Sequence, residues 1–252
     1  MPDGALHDWL APHWPAPQGV GAICTTRAGG VSEGRYASLN LGDHVGDEPA
    51  AVAENRARLQ RGLQGARPVF LNQVHGTGVV ALDATSPHGS SADACFATQP
   101  LVACTIMVAD CLPVLFCNAA GTRVAAAHAG WRGLAAGVLE RAAGAFDASD
   151  DVMAWLGPCI GPTAFEVGSE VKAAFEAHSP DAGHCFSRGA TEGKWFADLS
   201  ALARQRLRAA GIRSFHGNDG TPLWCTVTQD SRFFSHRRDG VSGRFGACVW
   251  RS

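Results

Sequence analysis

Residues 101–133 read LVACTIMVADCLPVLFCNAAGTRVAAAHAGWRG, three apolar runs separated by short polar breaks. LVACTIMV, LPVLFCN and TRVAAAH each have the length of a strand, and Gly121 supplies a turn between the last two. TRVAAA reads as a buried strand, yet it ends in His128, followed by a tryptophan and an arginine set between two glycines. A histidine there is either a satisfied core residue beside a turn or a functional group delivered to a site. The apolar stretch from Leu101 to Cys117 is broken by Asp110 and Pro113 and is too short to span a bilayer.

Working outward, GVGAICTTR (19–27) predicts a strand entering the Gly-rich segment AGGVSEGRYASLNLGDHVGD. A helix is predicted from Glu48 to about Gln64, with Asp47 as cap and Pro49 in its first turn. RPVFLNQV (67–74) runs as a strand into His75, and TGVVALD as another. A helix is expected from about Gly133 to Phe146, then a strand in DVMAWLG. Ser169 caps a helix to about His178, Asp198 one to about Ala210, and IRSFHG and FGACVW supply late strands. Strands and helices alternate without a strict βαβ rhythm. The expectation is a single α+β (mixed α/β) domain over 1–252, with a mixed β-sheet core layered with helices.

Composition narrows the function classes. Hydrophobic residues make up 46% and charged ones 17%, as in a folded globule. A formal charge of −2 gives no broad footprint for nucleic acid or an acidic membrane. The first residues carry no basic and then apolar leader, so a cytoplasmic location is expected. Nine cysteines without a C-x-x-C pair then read as reduced thiols, mostly packed as small hydrophobes.

Three residues at or just beyond the ends of apolar runs are candidate metal ligands: His75 in NQVHG, Cys111 in VADCLPV and His128 in AAAHAGWRG. Adjacent strands of one sheet would bring such ends together. Two imidazoles and a thiolate suit Zn2+ and leave its fourth position open, the pattern of a catalytic site. Gln73 and Asp110 are close enough in sequence to orient ligands or move protons. On spacing alone, a satisfied core or surface histidine and a packed cysteine are the commoner reading.

CTTRAGGVSEGRYASLNLGDHVGD, NQVHG, VADCLPVLF, HAGWRG, GPCIGPTAFEVGSEV and FFSHRRDGVSGR, in this order, resemble the YfiH family. Its members have been described as multicopper polyphenol oxidases, or laccase-domain proteins, and later as purine nucleoside phosphorylases with adenosine deaminase activity. The resemblance covers nearly the whole chain from about residue 20. It implies a zinc site on His75, Cys111 and His128. It also implies phosphorolysis of adenosine, inosine, guanosine and S-methyl-5'-thioadenosine, with deamination of adenosine. His236 departs from the tyrosine that the family often carries in FFSHRRDG.

The expected site therefore has His75, Cys111 and His128 on the metal and Asp110 and Cys111 as catalytic groups. Arg27, Gln73 and Arg132 are expected to bind substrate. The expected partners are small purine nucleosides and phosphate, with no nucleic acid, membrane or obligate protein partner evident. Ser32 in GGVSEG matches G-x-S-x-G, but RYASLNLG is a poor helix start, and a ligand-wrapping loop is the better reading. Cys159 in GPCIGP reads as a buried thiol in a rigid turn. Of Arg237 and Arg238, one is expected at a ligand and the other in an ion pair with Asp239.

Two other chemistries stay open. A copper-dependent polyphenol oxidase would use the same N/S donors, since copper competes with zinc at such sites. The ten scattered histidines, with no H-x-H pair, are few for several coppers. A Cys–His pair, or a zinc hydrolase, could instead edit cytoplasmic peptidoglycan precursors, with Cys111 as nucleophile and His128 as base. The H-x-E with P-C-x-x-C signature of zinc nucleobase deaminases is missing.

Overall fold

The three apolar runs are strands of two different sheets. A computed structural model describes residues 8–252, so the first seven residues of the expected domain lie outside the described residues. In chain order the elements begin with β1 (Val20–Cys24), α1 (Pro49–Gly62), β2 (Arg67–Phe70), β3 (Val79–Leu82) and β4 (Ala94–Ala97). The central block is β5 (Val102–Val108), β6 (Leu112–Asn118) and β7 (Val124–Ala129), then α2 (Trp131–Ala136), α3 (Val138–Ala143) and β8 (Val152–Leu156). There follow β9 (Glu166–Gly168), α4 (Ser169–Glu176), β10 (Phe186–Arg188), β11 (Lys194–Ala197) and α5 (Leu199–Ala209). The chain closes with β12 (Ser214–Gly217), α6 (His236–Asp239) and β13 (Phe245–Arg251).

Strands β1-β13-β5-β2 form one mixed sheet and β12-β8-β6-β7-β4-β3 a second, while β10-β11-β9 make a small antiparallel third. The expected α+β class, a mixed-sheet core covered by helices, is what the chain adopts. The layering follows from alternation within each run. Val102, Cys104, Ile106 and Val108 of β5 enter the core between the two large sheets, whereas Ala103 and Met107 pack with Leu59 of α1. On β7, Val124 and Ala126 face the space between the sheets, and Ala125, Ala127 and Ala129 lie with Val138, Leu139 and Ala142 of α3. Both faces of these strands are covered, which is why the runs are apolar throughout instead of alternating with polar residues.

The predicted helix over 133–146 is two short helices. Gly137 sits at φ 98°, a left-handed conformation that glycine adopts without steric cost, and it ends α2 before α3 begins. Asp198 caps α5 as expected, accepting from the Ala201 amide. Asp47 does not cap α1. Its carboxylate instead accepts from the Ser32 hydroxyl (2.6 Å) and the Asn40 amide (2.9 Å), and so closes the Gly-rich loop. Ser32 is thereby buried in a structural network, which also includes Asn55.

Phe116 on β6 is fully buried beneath the helical layer and meets Phe146 with ring centroids 6.5 Å apart. Phe116→Ala is expected to lower the unfolding free energy by about 3–5 kcal/mol, the range for aromatic truncations in a packed core. Urea unfolding followed by tryptophan fluorescence measures it; a loss below about 1 kcal/mol would contradict this packing.

Candidate metal centre

The candidate ligands meet at one end of the space between the two large sheets. His128 ends β7 on the same face as Val124 and Ala126, so strand periodicity alone turns its ring inward. Cys111 lies in the Ala109–Cys111 turn, where the chain leaves β5 in one sheet and enters β6 in the other. His75 follows β2 in a loop and holds a left-handed backbone, φ 59°. The ligands thus come from both sheets and the turn joining them, not from adjacent strands of one sheet as expected.

Their donor atoms all lie within 4.8 Å of one another, and Cys111 Sγ is 3.8 Å from His75 Nε2. The two imidazole rings sit edge to face with centroids 4.8 Å apart. The glycines of HAGWRG make this convergence possible. A Cβ at Gly130 would lie 2.8 Å from His75 Cδ2 and 3.0 Å from Cys111 Sγ, and one at Gly133 only 2.7 Å from the Gly76 carbonyl. The two glycines admit the ligand residues themselves.

Asp93 holds this arrangement together. It is fully buried, and the pairing of Ala94 with Ala127 places it beside His128. Oδ1 lies 2.9 Å from His128 Nδ1 and accepts from the His75 amide, while Oδ2 accepts from the amides of Val74 and Gly76 at 3.2 and 2.7 Å. One carboxylate therefore fixes the His75 loop and leaves His128 Nε2 as the nitrogen free to ligate. Nothing in the sequence flagged Asp93, because its partner stands 35 residues away on another strand.

Electrostatics favour a deprotonated thiol. Burial by itself would raise the Cys111 pKa, but the charge and hydrogen bonds of His128 and His75 bring it down to about 6. Burial would lower His128, yet Cys111 and Asp93 push it up to about 9. In metal-free protein a thiolate–imidazolium pair therefore persists from about pH 6 to about pH 9. Its stabilisation is lost as pH falls through the Cys111 value and as pH rises through the His128 value. Iodoacetamide labelling of metal-free protein is expected to rise with a midpoint near pH 6 at Cys111, read by mass spectrometry. A midpoint near the ordinary thiol value would contradict it. Burial raises the pKa of Cys24, Cys117, Cys159 and Cys248, which keeps those thiols silent.

The donor set fits zinc: two imidazole nitrogens and a thiolate, a carboxylate on the second nitrogen of one imidazole, and access from a cavity of about 440 Å³. It is also compatible with copper. Among the described residues no second group of three such donors is found.

Gln73 and Asp110 line the same cavity, but their polar atoms are engaged. The Gln73 amide donates to the Met107 carbonyl and accepts from the Met107 amide, both at 2.8 Å. Asp110 accepts from the Thr226 hydroxyl and from the Arg237 backbone amide, each at 2.6 Å. Arg27 is not brought here. Its guanidinium donates to the carbonyls of Ala37 and Asp230, lies over Phe234, and lines a separate depression. Arg132 is exposed on α2 and stacks on Trp131, outside the lining of the cavity. The tandem arginines divide their work: Arg238 pairs with Asp239 at 2.7 Å, while Arg237 reaches the cavity. His44, His236 and Arg244 complete its polar wall. His44 and Arg244 lie in LGDHVGD and VSGR, motifs that carried the resemblance without being singled out.

Residues 21–252 match the family described as multi-copper polyphenol oxidoreductase laccase. The chain belongs to this family. Within it, the chain is 51% identical to purine nucleoside phosphorylase PA4543 of Pseudomonas aeruginosa, over 97% of this chain and 99% of the relative. It is 49% identical to purine nucleoside phosphorylase YfiH of Escherichia coli, over 96% of this chain and 98% of that protein. Among solved structures it superposes on Neisseria meningitidis protein NMB0706 with a TM-score of 0.91 at 48% identity, covering 97% and 99% of the two chains. YlmD from Geobacillus stearothermophilus gives 0.89 at 30% identity, covering 99% and 98%. The family's laccase description does not by itself fix a chemistry for the centre. Among the described residues, no helix is long and apolar enough to cross a membrane.

Proposed function

We propose that this chain, as one catalytic domain over 1–252, is a zinc-dependent purine nucleoside phosphorylase. Its substrates would be adenosine, inosine, guanosine and S-methyl-5'-thioadenosine, with deamination of adenosine as a second activity. The observation that carries the reading is the His75–Cys111–His128 cluster on the wall of a cavity that also holds arginines. Two family relatives that match over nearly their full length bear the phosphorylase name, which supports the same reading.

In phosphorolysis a phosphate oxygen bonds to the anomeric carbon as the carbon–nitrogen bond to the purine breaks. The electron pair leaves on the base, which takes up a proton, and ribose 1-phosphate is the other product. Zinc, when bound, supplies a Lewis acid at the cavity wall. The chain's own groups do the rest. Asp93 orients His128, and Asp110 fixes the Arg237 backbone where it borders the cavity. Ile160 and Phe165 give the cavity an apolar side suited to a flat heterocycle. The arginines hold an anion against a neutral sugar, which positions the two reactants.

Incubation with inosine is expected to release hypoxanthine and ribose 1-phosphate in equal amounts only when phosphate is present. Hypoxanthine with free ribose, at a rate indifferent to phosphate, would defeat the phosphorylase reading.

A second reading rests on one observation: Cys111, His128 and Asp93 are arrayed as thiolate, imidazole and orienting carboxylate. In metal-free protein that is the order of a cysteine hydrolase. The two readings diverge on metal removal. A chelator abolishes activity under the first and raises it under the second.

A further inference from the structure

The arginines expected to bind substrate, Arg27 and Arg132, do not line the cavity, and of the two that do, Arg237 is partly committed. Its Nη1 donates to the carbonyls of Ala164 (3.3 Å) and Glu166 (3.1 Å), with the guanidinium over the Phe165 ring at 5.4 Å. Arg244 is different. One terminal nitrogen, Nη1, donates to the carbonyls of Ser242 and Gly243 at 2.9 and 3.1 Å and approaches the Ser242 hydroxyl at 3.4 Å. Among the described residues its Nε and Nη2 donate to no protein acceptor, and no carboxylate pairs with it. A partly buried guanidinium with half of its fork unmatched, opening on a cavity, is a built receptor for an oxyanion.

The surroundings anchor the backbone and stem of Arg244. Arg244 begins the run into β13, and its backbone amide donates to Asn40 Oδ1 at 2.8 Å, while its Cγ packs against Gly42. Asn40 in turn is held by Asp47 (2.9 Å), so the Gly-rich loop buttresses the arginine from behind. His44, from the same loop, lines the cavity beside it with Nδ1 3.5 Å from Asp43. Cys111, His75 and His128 line the same cavity as Arg244.

We propose that Arg244, with His44 beside it, is the phosphate subsite of this cavity. The assignment rests on the phosphorylase reading for its biological ligand. The chemistry is that of a small tetrahedral oxyanion held by a guanidinium fork, and inorganic phosphate is the probe.

Calorimetric titration of zinc-loaded protein with inorganic phosphate, without nucleoside, tests it. Arg244→Met keeps the stem that packs on Gly42 and removes the fork. It is expected to weaken phosphate binding about 10–100-fold, the loss of a charge-assisted bidentate contact. Arg244→Lys, with charge but no fork, is expected to recover part of that loss. Zinc content and thermal unfolding of both variants report whether the site and fold persist. Exposed Arg61→Met is the control and binds phosphate as the wild type does. Wild-type protein that fails to bind phosphate, or Arg244→Met that binds it unchanged, overturns the subsite. Hypoxanthine release that ignores phosphate, while phosphate still binds through Arg244, defeats the phosphorylase reading and leaves the subsite standing.

Discussion

Cys111→Ala is expected to reduce bound zinc from about one ion per chain to a small fraction, because two imidazoles alone make a weak site. Phosphate-dependent release of hypoxanthine is expected to fall at least about 100- to 1,000-fold with it, the scale set by removing a major electrostatic element from a site. The fold should survive, since Cys111 sits in a turn at the cavity and not in a packed layer. Cys159→Ala is the matching control. That thiol is 2% exposed and accepts from the Asn218 amide at 3.3 Å in the loop after β8, so its loss should leave zinc in place. Metal analysis and an inosine assay on both variants measure the contrast. Full zinc occupancy in Cys111→Ala would contradict the ligand assignment.

Asp93 carries the second large effect, and it acts through other residues. Asp93→Ala strips the acceptor from three backbone amides and from His128 in a fully buried setting. Removing one partner from such a buried network costs about 3–5 kcal/mol of stability. Asp93→Asn keeps the shape and should fold better, yet it no longer balances the charge on His128. Its zinc affinity is expected to drop about 10–100-fold, the usual consequence of losing a ligand's orienting carboxylate. Competition with a chromogenic chelator reads the affinity, and urea unfolding reads the stability. Burial raises the Asp93 carboxyl, but His128 and the Gly76 and His75 amides hold it below its ordinary value. Its stabilisation is therefore present above the ordinary carboxylate range and lost as pH falls through the depressed value. Asp93→Asn protein should lose less stability on acidification than the wild type.

The strands were legible because their runs are apolar on both faces. That same property hid their distribution between sheets. Nothing in LVACTIMV or LPVLFCN says that Asp110 and Cys111 form a corner between layers, since either run would read alike in one sheet or two. Pro49 marked the start of α1 correctly, while Gly137 was passed over inside an otherwise regular helical pattern. His75, Cys111 and His128 stood out as polar residues at the ends of apolar runs. Asp93 precedes an apolar run and looks like any strand-flanking acid until the β4–β7 register is known. The arginines were the hardest to place. In the structure Arg27 is held by carbonyls, Arg132 lies exposed outside the cavity, and Arg244 lines it with only one terminal nitrogen engaged, none of which the sequence shows.

The proposed function requires that a single zinc held by His75, Cys111 and His128 support phosphate-dependent cleavage of a purine nucleoside. The most direct measurement follows inosine cleavage in purified protein of known metal content, before chelation, after chelation and after zinc is restored, each with and without phosphate. Cleavage should require both zinc and phosphate, vanish on chelation and return with about one zinc per chain. Cleavage by metal-free protein would contradict it, as would several coppers per chain with oxygen uptake on a phenol and none of this activity.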